Sequence, residues 1–522
     1  MTHSHDTHSG QRIGTGIIFL AASRLAKSIL VIMSLVLIAR RFGANIETDI
    51  FFMAQLWPFL IANLGRAIMS ITLIPVFADI FHNEKEEDAW RFASNTLNIF
   101  FVSTIVIAVL YLGLSIAVLK IMVFFDVPKI GEVSFDFIVL TLLFLPVIIL
   151  NPMFAFWESI LFSKKDYIVC GIATLLIGIC EVGSILLFSD RYGIKVIAIG
   201  ISLGFLFQLL FVLPKFRTKS KYFGTSICLK YPGSRKIFSL LLPALFGACL
   251  TQIAAVSDWI LASILGEARV TSFVYASRLA YFIPNFFAMS VILPLLGKFA
   301  GYIVKRDYDN LKVTMLRTIR FVLLTILPFC VWFAIMSEPL SEFLFLRGKF
   351  SVEAIVMVRS VLLFLTPMIF FQCINSIFRQ VLFAMRRIRF LVIEGTAIVL
   401  FNILLSVILI QYMDVGGLAL GTSIAAMCDC SILIFYFQRE VKPFPKSGTM
   451  LFLSKIVFAS LIMGVAISFL SRHFDGLFPV KENLNQFFSL VLSAFAGATV
   501  YLGLAALFGA LRLKDPLGWE TD

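Results

Sequence analysis

Long apolar runs separated by short polar connections dominate this chain. About 20 apolar residues suffice to cross a hydrocarbon core of roughly 30 Å as an α-helix. About fourteen runs reach that length: 14–39, 49–77, 92–119, 135–154, 167–188, 194–213, 238–265, 270–296, 314–336, 354–383, 390–410, 416–437, 451–470 and 486–511. They predict helices, because a barrel strand needs only roughly 10 residues of alternating pattern. The first run has no basic stretch before it and no small-residue cleavage site after it, and it carries Arg24 and Lys27 at its middle. It reads as a retained membrane helix rather than a signal peptide.

The connections fix orientation and grouping. Counting Lys and Arg in alternate connections gives about 24 on one side and about 11 on the other, so the basic side, and with it both termini, is expected to be cytoplasmic. Lys164, Lys165, Lys215, Arg217, Lys219, Lys221, Lys305, Arg306, Arg386, Arg387 and Arg389 lie on that side. The longest polar connection, 214–236, divides the chain into a six-helix lobe at 1–213 and a second at 237–440, leaving two further helices and a tail at 441–522. The runs ITLIPVFAD at 71–79 and VILPLLGK at 291–298 make Pro75 and Pro294 candidate repeat equivalents. Six crossings between them would relate the lobes by a pseudo-twofold axis along the membrane normal. The expected fold is therefore an all-α polytopic membrane protein.

Composition closes off the soluble alternatives. Of 522 residues, 60% are hydrophobic and 14% charged, at a mean hydropathy of +0.97. A soluble domain carries about 25% charged residues. The net charge of +13 does not indicate nucleic acid, which needs basic residues gathered on a hydrophilic domain; it reads as a topology signal with some attraction to anionic lipid. The eight cysteines show no zinc spacing, and Cys428 and Cys430 point about 200° apart on a helix. His3, His5 and His8 read as a flexible polar terminus, and no metal or cofactor is expected.

Charges inside the apolar runs are the candidate chemistry. A cation near the bilayer centre costs about 2.5 to 3.5 kcal/mol on insertion scales. Arg24 and Lys27 share a face of the first run, Arg66 lies in the second and Arg278 in the eighth. Asp49, Gln55, Asn63 and Ser70 fall on the same arc of the second helix as Arg66, and Asn285 lies two turns from Arg278. Such a group can line a water-filled cavity for a multiply charged anion, and a diphosphate suits guanidinium geometry. Neutralisation by Asp49, Glu181, Asp258, Glu394 or Asp429, merely holding helices together, is the competing account. Asp258 and Glu394 are candidates for a coupling cation or proton, while Arg359 and Arg379 are expected to reach opposite interfaces. Asp307 and Asp309 form a D-x-D, the metal-chelating signature of a glycosyltransferase, but in a connection too short for a nucleotide domain. No Walker A, H-E-x-x-H or G-x-S-x-G motif occurs, so no enzyme activity is expected.

Several stretches resemble the MurJ (MviN) lipid II flippases, within the superfamily of multidrug, oligosaccharidyl-lipid and polysaccharide exporters. They are SRLAKS at 23–28, ARRFGANIETDIFFMA at 39–54, LLPALFGACLTQI at 241–253, DWILASIL at 258–265, YASRLAYFIPN at 275–285, ILPLLGKFA at 292–300, LFLRGKFS at 344–351 and GGLALGTSIAA at 416–426. The resemblance implies two six-helix lobes around a cationic cavity, and two C-terminal helices forming a lipid-facing groove. It implies an inner-membrane transporter that moves undecaprenyl-diphosphate-linked peptidoglycan precursor to the periplasmic leaflet by alternating access, in the company of membrane lipids and cell-wall or glycan polymerases. Arg24, Asp49, Arg66 and Arg278 take the family's cavity positions. The chain departs from the family's pattern at Lys27, Ser28, Leu30 and Val31, and at Arg386 to Arg389. A flippase for another glycan on the same carrier is therefore the alternative; a multidrug exporter and a membrane glycosyltransferase rank below it.

Overall fold

The computed structural model describes the backbone of residues 3–83, 85–124, 130–164, 166–225, 227–228, 234–441, 446–474 and 482–509. The side chains of 3–18, 118–124, 130–134, 234–240, 242–244, 246–248, 250–251, 289–290, 293–294, 446–450, 472–474, 482–485 and some single positions fall outside the description. All regular structure among the described residues is helical. In chain order the helices are α1 (His3–Phe42), α2 (Ile46–Asn83), α3 (Glu86–Phe124), α4 (Ile130–Ser163), α5 (Ile168–Tyr192) and α6 (Lys195–Val212), then a 3₁₀ segment at Leu213–Tyr222. Next come α7 (Ser234–Leu265), α8 (Arg269–Phe287), a π segment at Ala288–Ile292, α9 (Leu293–Val304), α10 (Tyr308–Ile335) and α11 (Ser337–Phe345). The chain closes with α12 (Val352–Ala384), α13 (Ile388–Met413), α14 (Val415–Val441), α15 (Lys446–Phe474) and α16 (Glu482–Leu507).

Twelve helices among the described residues are long and apolar enough to cross a membrane. The expected seventh and eighth runs correspond to α7 and to the α8–π–α9 rod, which carry the shorter apolar stretches Ala255–Leu265 and Leu295–Val304. Pro294, near the start of α9, has no N–H to return to a carbonyl four residues back, and the wider π turn falls at that place. Most expected boundaries shift by a few residues, and two shift by nine or more. The first helix opens at His3 rather than at 14, so the expected flexible terminus is helical, and the fourth runs to Ser163 rather than 154. The second change follows from FAFWESILF: one carboxylate interrupts an apolar pattern that is buried from Phe154 to Leu161, and the helix carries it through.

The chain forms two compact units, Met1–Val256 and Ser257–Asp522, divided within α7. In the first, α2 packs on α4, α5 on α6 and on α1, and α3 on α4. Its aromatic centre joins Trp90, Trp157 and Phe216, with the last two rings 4.4 Å apart. Contact between α2 and α4 is close because Gly65 faces Pro152; a Cβ there would lie 2.9 Å from the proline Cγ.

In the second unit, α12 packs on α14 and α8, and α13 on α14. A Cβ on Gly417 would meet the Leu409 carbonyl carbon at 2.5 Å, so only glycine permits that approach of α14 to α13. The last pair, α15 and α16, packs on α10 through Leu323, Met336, Ile456, Met463 and Tyr501. The Tyr501 hydroxyl donates to the Leu324 carbonyl at 2.8 Å, satisfying the polar tip of an otherwise buried ring.

Candidate functional site: a paired cation cluster in the first unit

Arg66 organises this cluster. On α2, Asn63 and Arg66 are three positions apart and share a face; on α4, Asn151 and Glu158 are seven apart and do the same. Arg66 forms an ion pair with Glu158 through Nη2 and donates from Nη1 to Asn151 Oδ1 at 3.3 Å. The Asn151 amide then donates to Asn63 Oδ1 at 3.4 Å, and the guanidinium lies 5.5 Å from the centre of the Phe154 ring. The Arg66 side chain is 28% exposed and that of Glu158 only 3%. Glu158 Oε1 is buried and accepts no hydrogen bond.

Two more cations act on the same carboxylate. Arg24 and Lys27, half-buried on α1, interact electrostatically with Glu158 and with Arg66, and Lys27 also with Glu181 of α5. Among the described residues, three cations and two carboxylates are thus gathered inside an apolar helical unit. Cations held this way are costly unless they face protein, water or an anionic ligand. A guanidinium already aligned on a carboxylate can take a phosphate oxygen pair by the same geometry.

The remaining predicted residues lie elsewhere. Asp49 and Gln55 are buried, but they precede Arg66 by 17 and 11 positions, about 25 and 16 Å along the helix. Arg278 is half-buried and Asn285 exposed, both on α8 of the second unit. Asp258 is buried on α7; its Oδ2 accepts from the Thr422 hydroxyl at 3.4 Å, and its Oδ1 accepts nothing. Glu394 is paired with Arg379 at 3.0 Å. Arg359 lies at the start of α12 and pairs with Glu338 at 3.0 Å. Glu158 was missed because the expected fourth helix stopped at 154; Asn151 lies inside that run but was not singled out, and its seven-residue spacing from Glu158 was the available signal.

Outside the membrane spans, the D-x-D is a helix cap. Asp307 caps α10, its carboxylate accepting from the Asn310 amide nitrogen at 3.2 Å and side-chain nitrogen at 2.7 Å. Those bonds, the side-chain one foremost, hold its carboxyl below the ordinary range. A basic cavity of about 220 Å³ is lined by Trp90, Lys164, Asp166, Lys215 and Lys219. There Lys215 is committed to Asp166 and Lys219 to Glu86, each at 2.6 Å. Lys164 lies 4.4 Å from the Trp90 ring, and partial burial lowers its amine from the usual value.

A helical multi-pass membrane protein with cations held among its helices belongs to the class of membrane transporters. Residues 38–488 match the family described as Lipid II flippase MurJ, and the chain belongs to that family. It is similar to the probable lipid II flippase MurJ of Vibrio cholerae, 25% identical over 98% of both chains. The probable lipid II flippase MurJ of Buchnera aphidicola from Schizaphis graminum is 25% identical over 92% of this chain and 93% of the relative. Among solved structures, lipid II flippase MurJ in an inward closed conformation shares the fold, with a TM-score of 0.74 at 22% identity over 95% of this chain and 100% of that one. An inward-facing multidrug resistance transporter of the MATE family matches at a TM-score of 0.66 and 13% identity, over 80% and 94% of the two chains.

Proposed function

We propose that this protein is a lipid II flippase of the inner membrane, moving undecaprenyl-diphosphate-linked peptidoglycan precursor from the cytoplasmic to the periplasmic leaflet by alternating access. The observation that carries the reading is the Arg24, Lys27 and Arg66 cluster in a chain of this family. The diphosphate is the part of the carrier that cannot cross hydrocarbon unaided, and it is the part that paired guanidinium groups recognise. The polyprenyl tail needs no such help and stays in lipid.

The resting cluster already holds an anion, the Glu158 carboxylate. An incoming diphosphate competes with it for Arg66, and on release Glu158 takes the guanidinium back. The site is thereby spared an unpaired cation between cycles, and cargo binding is kept weak enough for release on the far side. Arg278 is the candidate cation of the second unit, and the positive excess in alternate connections supports cytoplasmic termini.

Proteoliposome transport tests the reading. Purified protein is reconstituted with fluorescent lipid II, and its transfer between leaflets is followed by quenching. Transfer by the unaltered chain and its loss in Arg66→Ala are expected; no transfer of lipid II, with transfer of another carrier-linked glycan, would replace the cargo.

A further inference from the structure

Two carboxylates of the second unit converge on one guanidinium. Arg379 of α12 donates from Nη2 both to Glu394 Oε1 of α13, at 3.0 Å, and to Asp429 Oδ2 of α14, at 2.8 Å. Asn375, one turn earlier on α12, donates to the same Asp429 oxygen at 2.8 Å and to the Ala426 carbonyl at 3.0 Å. The Glu394 and Asp429 side chains are 1% and 6% exposed, whereas that of Arg379 is 36% exposed.

The bonding is incomplete on the acceptor side. Glu394 Oε2, Asp429 Oδ1 and Asn375 Oδ1 are all buried and accept no hydrogen bond. The two carboxylates are brought together by accepting from the same Arg379 nitrogen. Among the described residues, Arg379 and Asp429 are the charged groups that act on Glu394, and the Cys430 thiol neighbours Asp429. The other helices packed on α12 include α8, which carries Arg269 and Arg278, α9, which carries Lys298, and α10 and α11; the largest charge effects on Glu394 and Arg379 come from within the trio itself.

Fully ionised, the trio carries one uncompensated negative charge in a low-dielectric interior. Two carboxylates sharing one site cannot both ionise there without a large penalty. One proton cancels the excess and supplies the donor that the orphaned oxygens lack. A metal ion fits less well, because the guanidinium already stands within 3.0 Å of both carboxylates and would repel it. Arg379 is five residues from the end of α12, and Glu394 six from the start of α13. The trio thus lies about 8 to 9 Å inside the connection that carries Arg386, Arg387 and Arg389.

We propose that Glu394 and Asp429 share a single proton and, with Arg379, form a proton-binding site in the second unit. Loading makes one carboxyl O–H bond with a proton from water. Unloading returns that proton to water and leaves Arg379 between two carboxylates. This site stands independently of the cargo assigned above, so failure of either reading leaves the other intact.

Infrared spectroscopy of the full-length protein in lipid nanodiscs tests the site, using a D258N background to remove another buried carboxyl. The expected result at neutral pH is a protonated-carboxyl carbonyl band that shifts in heavy water and fades as pH rises. It should lose at least half its area in Glu394→Gln and in Asp429→Asn. Thermal unfolding identifies which variant stays folded, and the pH titration of the D258N parent needs neither. Absence of the band from the D258N parent, or an unchanged band in a folded variant, would overturn the proposal. So would loss of the band on adding sodium at fixed pH, which would show a metal ion taking the proton's place.

Discussion

Arg66 and Glu158, 92 positions apart in sequence, form an ion pair that joins α2 to α4. The pair is lopsided, with the guanidinium partly open and the carboxylate sealed. Removing Arg66 alone takes away the ion-pair partner of a buried carboxylate and leaves it only the more weakly placed Arg24 and Lys27, whereas removing both charges leaves no such carboxylate.

Stability should follow that asymmetry. Arg66→Ala is expected to destabilise the first unit by about 3 kcal/mol, the lower end for a broken buried pair given the partial exposure of Arg66. Arg66→Ala combined with Glu158→Gln should recover at least half of that loss. Unfolding midpoints of the single and double variants in one detergent measure the difference.

Glu158→Gln alone should leave Arg66 without its resident anion. Diphosphate-bearing carrier lipid should then bind several-fold tighter, on the order of 1 kcal/mol, while transport turnover falls because release is slowed. Binding of carrier lipid to the purified variant, set beside its transport rate, separates the two effects.

Much of this architecture was legible in the sequence, because a membrane helix announces itself by length and hydropathy. The apolar stretch of α3 exposes Val102, Val106, Val109, Leu110 and Leu114 on its outer faces and could hardly be anything else. Arg24, Lys27 and Arg66 were legible for the opposite reason, as charges where none is cheap. Depth along a helix was not: Asp49 and Gln55 share an arc with Arg66 but sit several turns away. Partnership between helices was not either. Arg379 finds Glu394 and Asp429 at separations of 15 and 50 residues, and no periodicity within one helix encodes that meeting.

Gly65→Ala tests the α2–α4 contact that positions Arg66. The added methyl would lie 2.9 Å from a rigid proline ring, so the helices must separate. A loss of about 1 to 3 kcal/mol is expected, as for overpacked cores. Transport should fall with it, while Gly113→Ala, which meets nothing within 4 Å, should change neither.

Asp307→Ala tests the cap on α10. The folded carboxyl lies below its ordinary range, so the cap contributes stability above the unfolded aspartate pKa of about 4 and loses it as pH falls through the lowered folded value. The variant should therefore melt slightly earlier at neutral pH and match the parent at strongly acidic pH. Manganese and a nucleotide sugar should shift neither melting curve, since the carboxylate is occupied by Asn310.

Complementation reaches the central claim most directly. A cell depleted of its own lipid II flippase receives either the unaltered chain or Arg66→Ala, with membrane expression confirmed for both. Growth restored by the first and not by the second is the predicted result. An expressed, unaltered chain that fails to rescue would contradict the cargo, and an Arg66→Ala variant that rescues equally well would contradict the site.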